Sequence, residues 1–180
     1  MMRYINRIVW MLLVVVMMAF SSNDKPVVSS ITVRKEMVIT DTVKRIVVSK
    51  ADRKIYAFFG DTFKTYRCAF GANSVGAKHQ EGDNKTPEGE YYISAKKPVS
   101  QGVKALEISY PNLEDVAYAQ KMGVKPGGGI QIHGLWWSSQ DPKTHWMYDW
   151  TWGCIAINNQ EISELYAWTS INTPITIKPN

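Results

Sequence analysis

Cys154 and His133 are the residues of this 180-residue chain best suited to covalent chemistry. His133 and Gly134 close the run GIQIHG, and Gly153 and Cys154 open the run GCIAI. A thiol is a weak nucleophile until it loses its proton, and an imidazole can take that proton. Both residues stand at the ends of strand-like runs, 21 positions apart. If those strands are neighbours, the residues between them form a loop over the site. Glycine beside each group would let a substrate approach the backbone and would admit dihedrals that other residues resist. Backbone amides around Cys154, those of Trp152 and Gly153 among them, could then face a developing oxyanion.

The thiol has other uses. It could be a small buried filler, or half of a disulfide with Cys68, the only other cysteine. Metal ligation is not expected. There is no CxxC and no HExxH, and none of the three histidines stands at ligand spacing from another. Spacing alone leaves the catalytic and structural readings of Cys154 and His133 both open. His79 and His145 lie in loop-like segments and are expected to face solvent, with His145 second to His133 as a base.

The frame around these residues is globular. Length points to one domain with a full core. Seven tryptophans and nine tyrosines argue against disorder beyond the ends. The N-terminus differs from the rest. Arg3 and Arg7 precede the apolar run Ile8 to Phe20, and small and polar residues follow it. This describes a secretory signal over 1–22, shorter than the ~20 apolar residues needed to span a bilayer. An uncleaved anchor through residues 8–20 is the alternative. Either way the domain is expected outside the cytoplasm, in the periplasm or cell envelope. Removing 1–22 lowers the net charge from +5 to +3. With no basic block, nucleic acid is not an expected partner.

Residues 23–43 read as a polar linker, with strand character in ITVRKEMVIT, and 44–180 as the folded domain. RIVVSK, KIYAFFG and TFKTYRCAFG read as three strands, with a turn at Gly60-Asp61. ANSVGAKHQEGDNKTPEG is a long polar loop of the kind that is often functional. It ends in Thr86-Pro87-Glu88-Gly89, read as a rigid turn shaping a cleft wall. EYYISAK, ALEIS, GIQIHG, GCIAI and TPITIKP read as further strands. Two short helices are predicted. One is capped by Asn112 and stopped by Gly123, and the other carries a capping-box spacing at Asn158 and Glu161. Residues 135–150 form an aromatic loop. The order is mainly β, a sandwich or open barrel with two short helices packed on it.

Five blocks in register resemble the YkuD-type L,D-transpeptidase catalytic domain, in its ErfK-like or murein L,D-transpeptidase branch. They are IVVSKADRKIYAF, GDNKTPEGEYYI, ISYPN, PGGGIQIHG and DWTWGCIAINNQEISELY. The resemblance covers Lys44 to Pro179. The family pattern is Ser/Thr-His-Gly-Cys, with an arginine two residues past the cysteine. Thr151, Gly153 and Cys154 match it, while Trp152 stands for that histidine and Ala156 for the arginine.

The resemblance implies a cofactor-free acyltransferase of the cell wall. Its substrate would be the stem peptide of peptidoglycan, with Cys154 as nucleophile and His133 as base. Gly134 would orient His133 through its carbonyl, and the amides of Trp152, Gly153 and Cys154 would hold the oxyanion. Separately from the resemblance, Trp136, Trp137, Trp150 and Thr151 are candidate substrate contacts, and the aromatic loop between His133 and Cys154 is either a lid that excludes water or simple packing over the sheet. The acyl group would pass to an amine, including an amine-bearing protein, and a carbapenem would be a covalent inhibitor. The alternatives are a hydrolase on the same scaffold, or an inactive peptidoglycan-binding module.

Overall fold

The computed structural model describes residues 42–98, 103–135 and 141–180. The expected signal, the strand character of ITVRKEMVIT, and Trp136 and Trp137 lie outside them. Eight strands form one sheet: β1 Arg45–Ser49, β2 Lys54–Phe59, β3 Thr62–Arg67, β4 Gly89–Pro98, β5 Lys104–Ile108, β6 Gln131–His133, β7 Ile155–Ala156 and β8 Pro174–Lys178. Two helices accompany them, α1 Leu113–Met122 and α2 Asn159–Trp168.

The spatial order is β3-β2-β1-β8-β4-β5-β6-β7. The β1–β8 and β6–β7 pairs are parallel and the others antiparallel. Strand β4 joins the two halves. Its first residues pair with β8 and its later ones with β5, with a register shift between Ile93 and Ala95. The sheet is curled into an open barrel. The chain leaving β3 turns to the opposite edge, where Ala69 and Ala156 exchange two backbone hydrogen bonds of 3.0 and 2.9 Å, and Gly71 bridges Thr151. The edge strand that follows Cys154 is therefore covered.

Alternation builds the core. In β2 every second residue is buried, placing Ile55, Ala57 and Phe59 inside. Ile46 and Val48 of β1, Ile175 and Ile177 of β8, and Ile132 and Ile155 of β6 and β7 join the same cluster. Helix α2 lies against β5 and β6 and buries Ile162 and Leu165.

Both helices start where local chemistry predicts. The Asn112 side chain accepts from the amides of Glu114 and Asp115, and Asp115 accepts in return from the Asn112 amide. Gly123, at φ 68°, ends α1 in the left-handed conformation that glycine adopts without penalty. Asn158 and Glu161 form the second capping box. Among the described residues no helix is long and apolar enough to cross a membrane.

Strands β6 and β7 are shorter than the sequence runs suggest. The flanking residues leave the sheet to shape the site, and the strain and contacts at Gly134 and Gly153 described below show why.

Candidate active site

The β6–β7 pairing positions both reactive groups. Ile132 faces Ile155 and His133 faces Ala156 in parallel register. Extending that register by one residue sets Gln131 beside Cys154. Side chains alternate along strands, and cross-strand partners share a face. His133 and Cys154 are thus diagonal neighbours on one face, while Ile132 and Ile155 turn into the core. Both line a single cavity of about 340 Å³, with Trp150, Thr151, Trp152, Gly128, Gly129 and Ile130 around them.

His133 is 2% exposed. Its Nδ1 lies 2.6 Å from the Gly134 carbonyl oxygen. A carbonyl only accepts, so Nδ1 carries the proton and Nε2 holds the lone pair of the neutral ring. Burial pushes the imidazole down to about 4, although the Gly134 carbonyl acts the other way. At neutral pH the ring is an uncharged base. The Trp150 indole meets it edge to face, with centroids 6.0 Å apart.

Gly134 has no room for a side chain. A Cβ there would stand 2.3 Å from Asn159 Oδ1 and 2.9 Å from Val103 Cγ1. Asn159, the first residue of α2, clips the next residue from both sides. It accepts from the Leu135 amide at 2.7 Å and donates to the Leu135 carbonyl at 3.3 Å. The segment after the histidine is thereby tied to the helix.

Cys154 is partly buried and its Sγ lies 3.7 Å from the Gly129 carbonyl oxygen, to which the thiol donates. Burial raises the thiol, with the Gln131 backbone hydrogen bond and the Lys78 charge opposing it. The resting pair is a neutral thiol and a neutral imidazole. Cys68 is a free thiol, fully buried, so no disulfide joins the two cysteines.

The turn into Cys154 is held by Thr151. Its hydroxyl donates to the Cys154 carbonyl at 2.7 Å and accepts from the Gly153 amide at 3.1 Å. Gly153 adopts φ 127°, and a Cβ there would lie 2.6 Å from the Lys85 carbonyl oxygen. Upstream, Asp149 accepts from both terminal nitrogens of Arg53 at 2.6 and 3.1 Å and from the Phe70 amide at 2.9 Å. Burial alone would raise the Asp149 carboxyl. Its hydrogen bonds from Arg53, Ser74 and Phe70 outweigh that and hold it below the usual range. Arg53 Nε also donates to the Trp146 carbonyl, fastening the aromatic loop to the sheet.

Of the remaining expected residues, Trp150 and Thr151 line the cavity, and Trp152 projects from its rim, 77% exposed. Thr86 is buried and accepts from the Gly71 amide, bracing the wall behind Cys154. His145 corrects an expectation. It is 1% exposed, because the turn at Asp141 to Thr144 folds it inward, where Nδ1 approaches the Pro142 carbonyl. His79 is exposed and stacks on Tyr118 at 4.1 Å. Arg53, Asp149, Asn159 and Lys78 escaped sequence reading, since each acts through partners that only the fold supplies or through a loop without periodic pattern.

The chain is 28% identical over 121 residues to YafK of Escherichia coli (strain K12), a protein named as a candidate L,D-transpeptidase. The match covers 64% of this chain and 42% of YafK, so the chain spans less than half the length of that relative. Its fold is similar to that of the helical cell shape determining protein Pgp2 from Campylobacter jejuni. There the TM-score is 0.55 at 24% identity, over 78% of this chain and 49% of that one. It is also similar to L,D-transpeptidase 3 from Mycobacterium tuberculosis, solved with a faropenem-derived adduct. That TM-score is 0.52 at 13% identity, over 76% of this chain and 60% of that one. The model of the L,D-transpeptidase catalytic domain matches residues 43–177, three quarters of the chain, and the chain belongs to this YkuD family.

Proposed function

We propose that this protein is an exported L,D-transpeptidase that acylates Cys154 with a peptidoglycan stem peptide and passes the acyl group to an amine. The supporting observation is the diagonal placement of Cys154 and His133 on one face of β6–β7, lining one cavity. Sγ attacks the carbonyl carbon of the third stem residue, and the thiol proton passes to His133 Nε2. The tetrahedral intermediate collapses as the bond to the terminal D-alanine nitrogen breaks and His133 returns the proton to it. An incoming amine then opens the thioester and restores the thiol.

The Gly153 amide is engaged by Thr151 in the resting geometry. The amides of Trp152 and Cys154 are therefore the donors assigned to the oxyanion, and Gly153 serves to shape the turn. Each such donor typically lowers the barrier by ~3 kcal/mol. Gly134 orients His133, and Trp150 covers it. The peptidoglycan substrate fits the family, and the export reading rests on the N-terminal sequence.

The test is acylation by a carbapenem followed by intact mass. The β-lactam adduct on a fold relative makes this probe apt. The expected result is one adduct, absent in Cys154→Ala and slowed at least a hundredfold in His133→Ala, as loss of a general base commonly does. An unmodified wild-type mass would overturn the reading. Muropeptide products formed with and without an added amine then report transfer.

A further inference from the structure

The chain that leaves Cys154 returns at once to the neighbours of His133. It runs through Ile155 and Ala156 of β7 to Ile157, Asn158 and Asn159. Ile157 donates its amide to the His133 carbonyl at 3.0 Å. Two residues on, the Asn159 side chain accepts from the Leu135 amide at 2.7 Å and donates to the Leu135 carbonyl at 3.3 Å. Both peptides that flank Gly134 are therefore held by the stretch that follows the thiol.

The second of those peptides carries the consequence. The Leu135 N–H and the Gly134 carbonyl belong to one planar trans unit, so they point in opposite directions. Aiming the N–H at Asn159 Oδ1 aims the carbonyl away from α2, and there it accepts from His133 Nδ1 at 2.6 Å. The clip needs an acceptor and a donor on one short side chain, which asparagine supplies and aspartate does not. Its own starting point is fixed. Asn158 accepts from the Glu161 amide at 2.9 Å, and Glu161 accepts from the Asn158 amide at 3.2 Å. The core does not depend on it, since Asn159 is exposed and α2 is buried through Ile162 and Leu165.

Resting on the reading of Cys154 and His133 as nucleophile and base, we propose that Asn159 is a positioning residue: it aims the Gly134 carbonyl, and through that carbonyl holds the His133 ring where it serves Cys154. The nucleophile and the fixture of its base then lie on one continuous segment, five residues apart. Any shift of that segment carries both groups together.

The experiment follows the imidazole nitrogens of the Cys154→Ala protein by nitrogen-15 NMR from about pH 8 to about pH 3.5, with His133→Gln assigning the signals. With Asn159 in place His133 should show one tautomer, with its proton on Nδ1, and a midpoint of about 4. Asn159→Ala frees the peptide, and the ring should lose its single tautomer and titrate closer to 6.5. Asn159→Asp keeps the acceptor but sets a carboxylate oxygen against the Leu135 carbonyl, and its charge should also raise the midpoint. With Cys154 present, both changes should slow carbapenem labelling between about tenfold and a hundredfold. Urea unfolding separates placement from mere support. Aspartate is favourable in the first turn of a helix, so Asn159→Asp should unfold near the wild-type midpoint and still react slowly. A wild-type tautomer and midpoint in Asn159→Ala overturns the proposal, and if that protein fails to fold, the same result in Asn159→Asp does so. The ring titration needs no acylation, so it decides the role of Asn159 by itself. An unlabelled wild type defeats the reading of Cys154 instead.

Discussion

His133 donates a hydrogen bond from Nδ1 to the carbonyl of Gly134, the next residue in the chain, across 2.6 Å. The contact fixes the tautomer from within the strand end. An aspartate partner would hold imidazolium and raise its pKa. A carbonyl orients the ring while burial keeps it neutral. On the proposed mechanism the base waits uncharged, and the thiol would lose its proton during attack rather than before it.

The first prediction concerns pH and rate. Because burial pushes His133 down to about 4, its neutral form persists well below pH 6.5. Acylation of Cys154 by a carbapenem should stay nearly level from about pH 7 to about pH 5 and halve near the histidine pKa. Stopped-flow or mass-resolved rates across that range check it. A midpoint near 6.5 would show that the ring titrates as it does in water.

The second concerns pH and stability. The folded pKa of His133 lies below its unfolded value, so its contribution is complete above about 6.5 and lost as pH falls toward 4. Across that window the wild type should lose ~2–3 kcal/mol on this account, as the depression implies. Urea unfolding at pH 7 and pH 4.5 measures it. His133→Gln, which has no proton to gain, should show a correspondingly smaller loss.

The third concerns the anchor of the aromatic loop. Asp149→Asn and Arg53→Ala each break a bidentate, partly buried pair, and should cost about 2 kcal/mol. Both should also slow acylation, because Asp149 fixes the segment entering Thr151. The wild-type carboxyl is depressed, so its share of stability is present above its unfolded pKa and lost as pH falls through the lower folded value. Denaturant midpoints together with carbapenem rates test both effects.

The fourth concerns Thr151. Thr151→Val keeps the shape and removes the hydroxyl that binds both the Gly153 amide and the Cys154 carbonyl. Leaving such groups without partners costs ~1–3 kcal/mol. Acylation should fall more than stability suggests, whereas Thr151→Ser should retain most of both. A serine variant as slow as valine would remove the hydroxyl from the account.

Elements governed by neighbours in sequence could be read in advance. The caps at Asn112 and Asn158, the stop at Gly123 and the alternation of β2 each follow from a few adjacent residues. The sheet closure could not be read, since Ala69 and Ala156 are distant in sequence and meet only because the whole sheet curls. The two capping boxes involve partners three residues apart, whereas Arg53 and Asp149 stand 96 apart. His145 was misplaced because loop position says nothing of whether a turn points inward. The strands at the site were overextended because Gly134 and Gly153 look the same in sequence whether they continue a sheet or end it. Cys154 and His133 stood out as a pair through the ordered blocks around them, not through their spacing alone.

The seam between Ala69 and Ala156 has a consequence for when the thiol becomes reactive. Its two sides are distant in sequence, so the cradle around Cys154 exists only where the fold brings them together. Without that pairing Cys154 would have neither a buried base beside it nor a shaped turn beneath it. On the proposed mechanism, an unfolded chain would carry a disarmed warhead, and closure of the barrel would arm it.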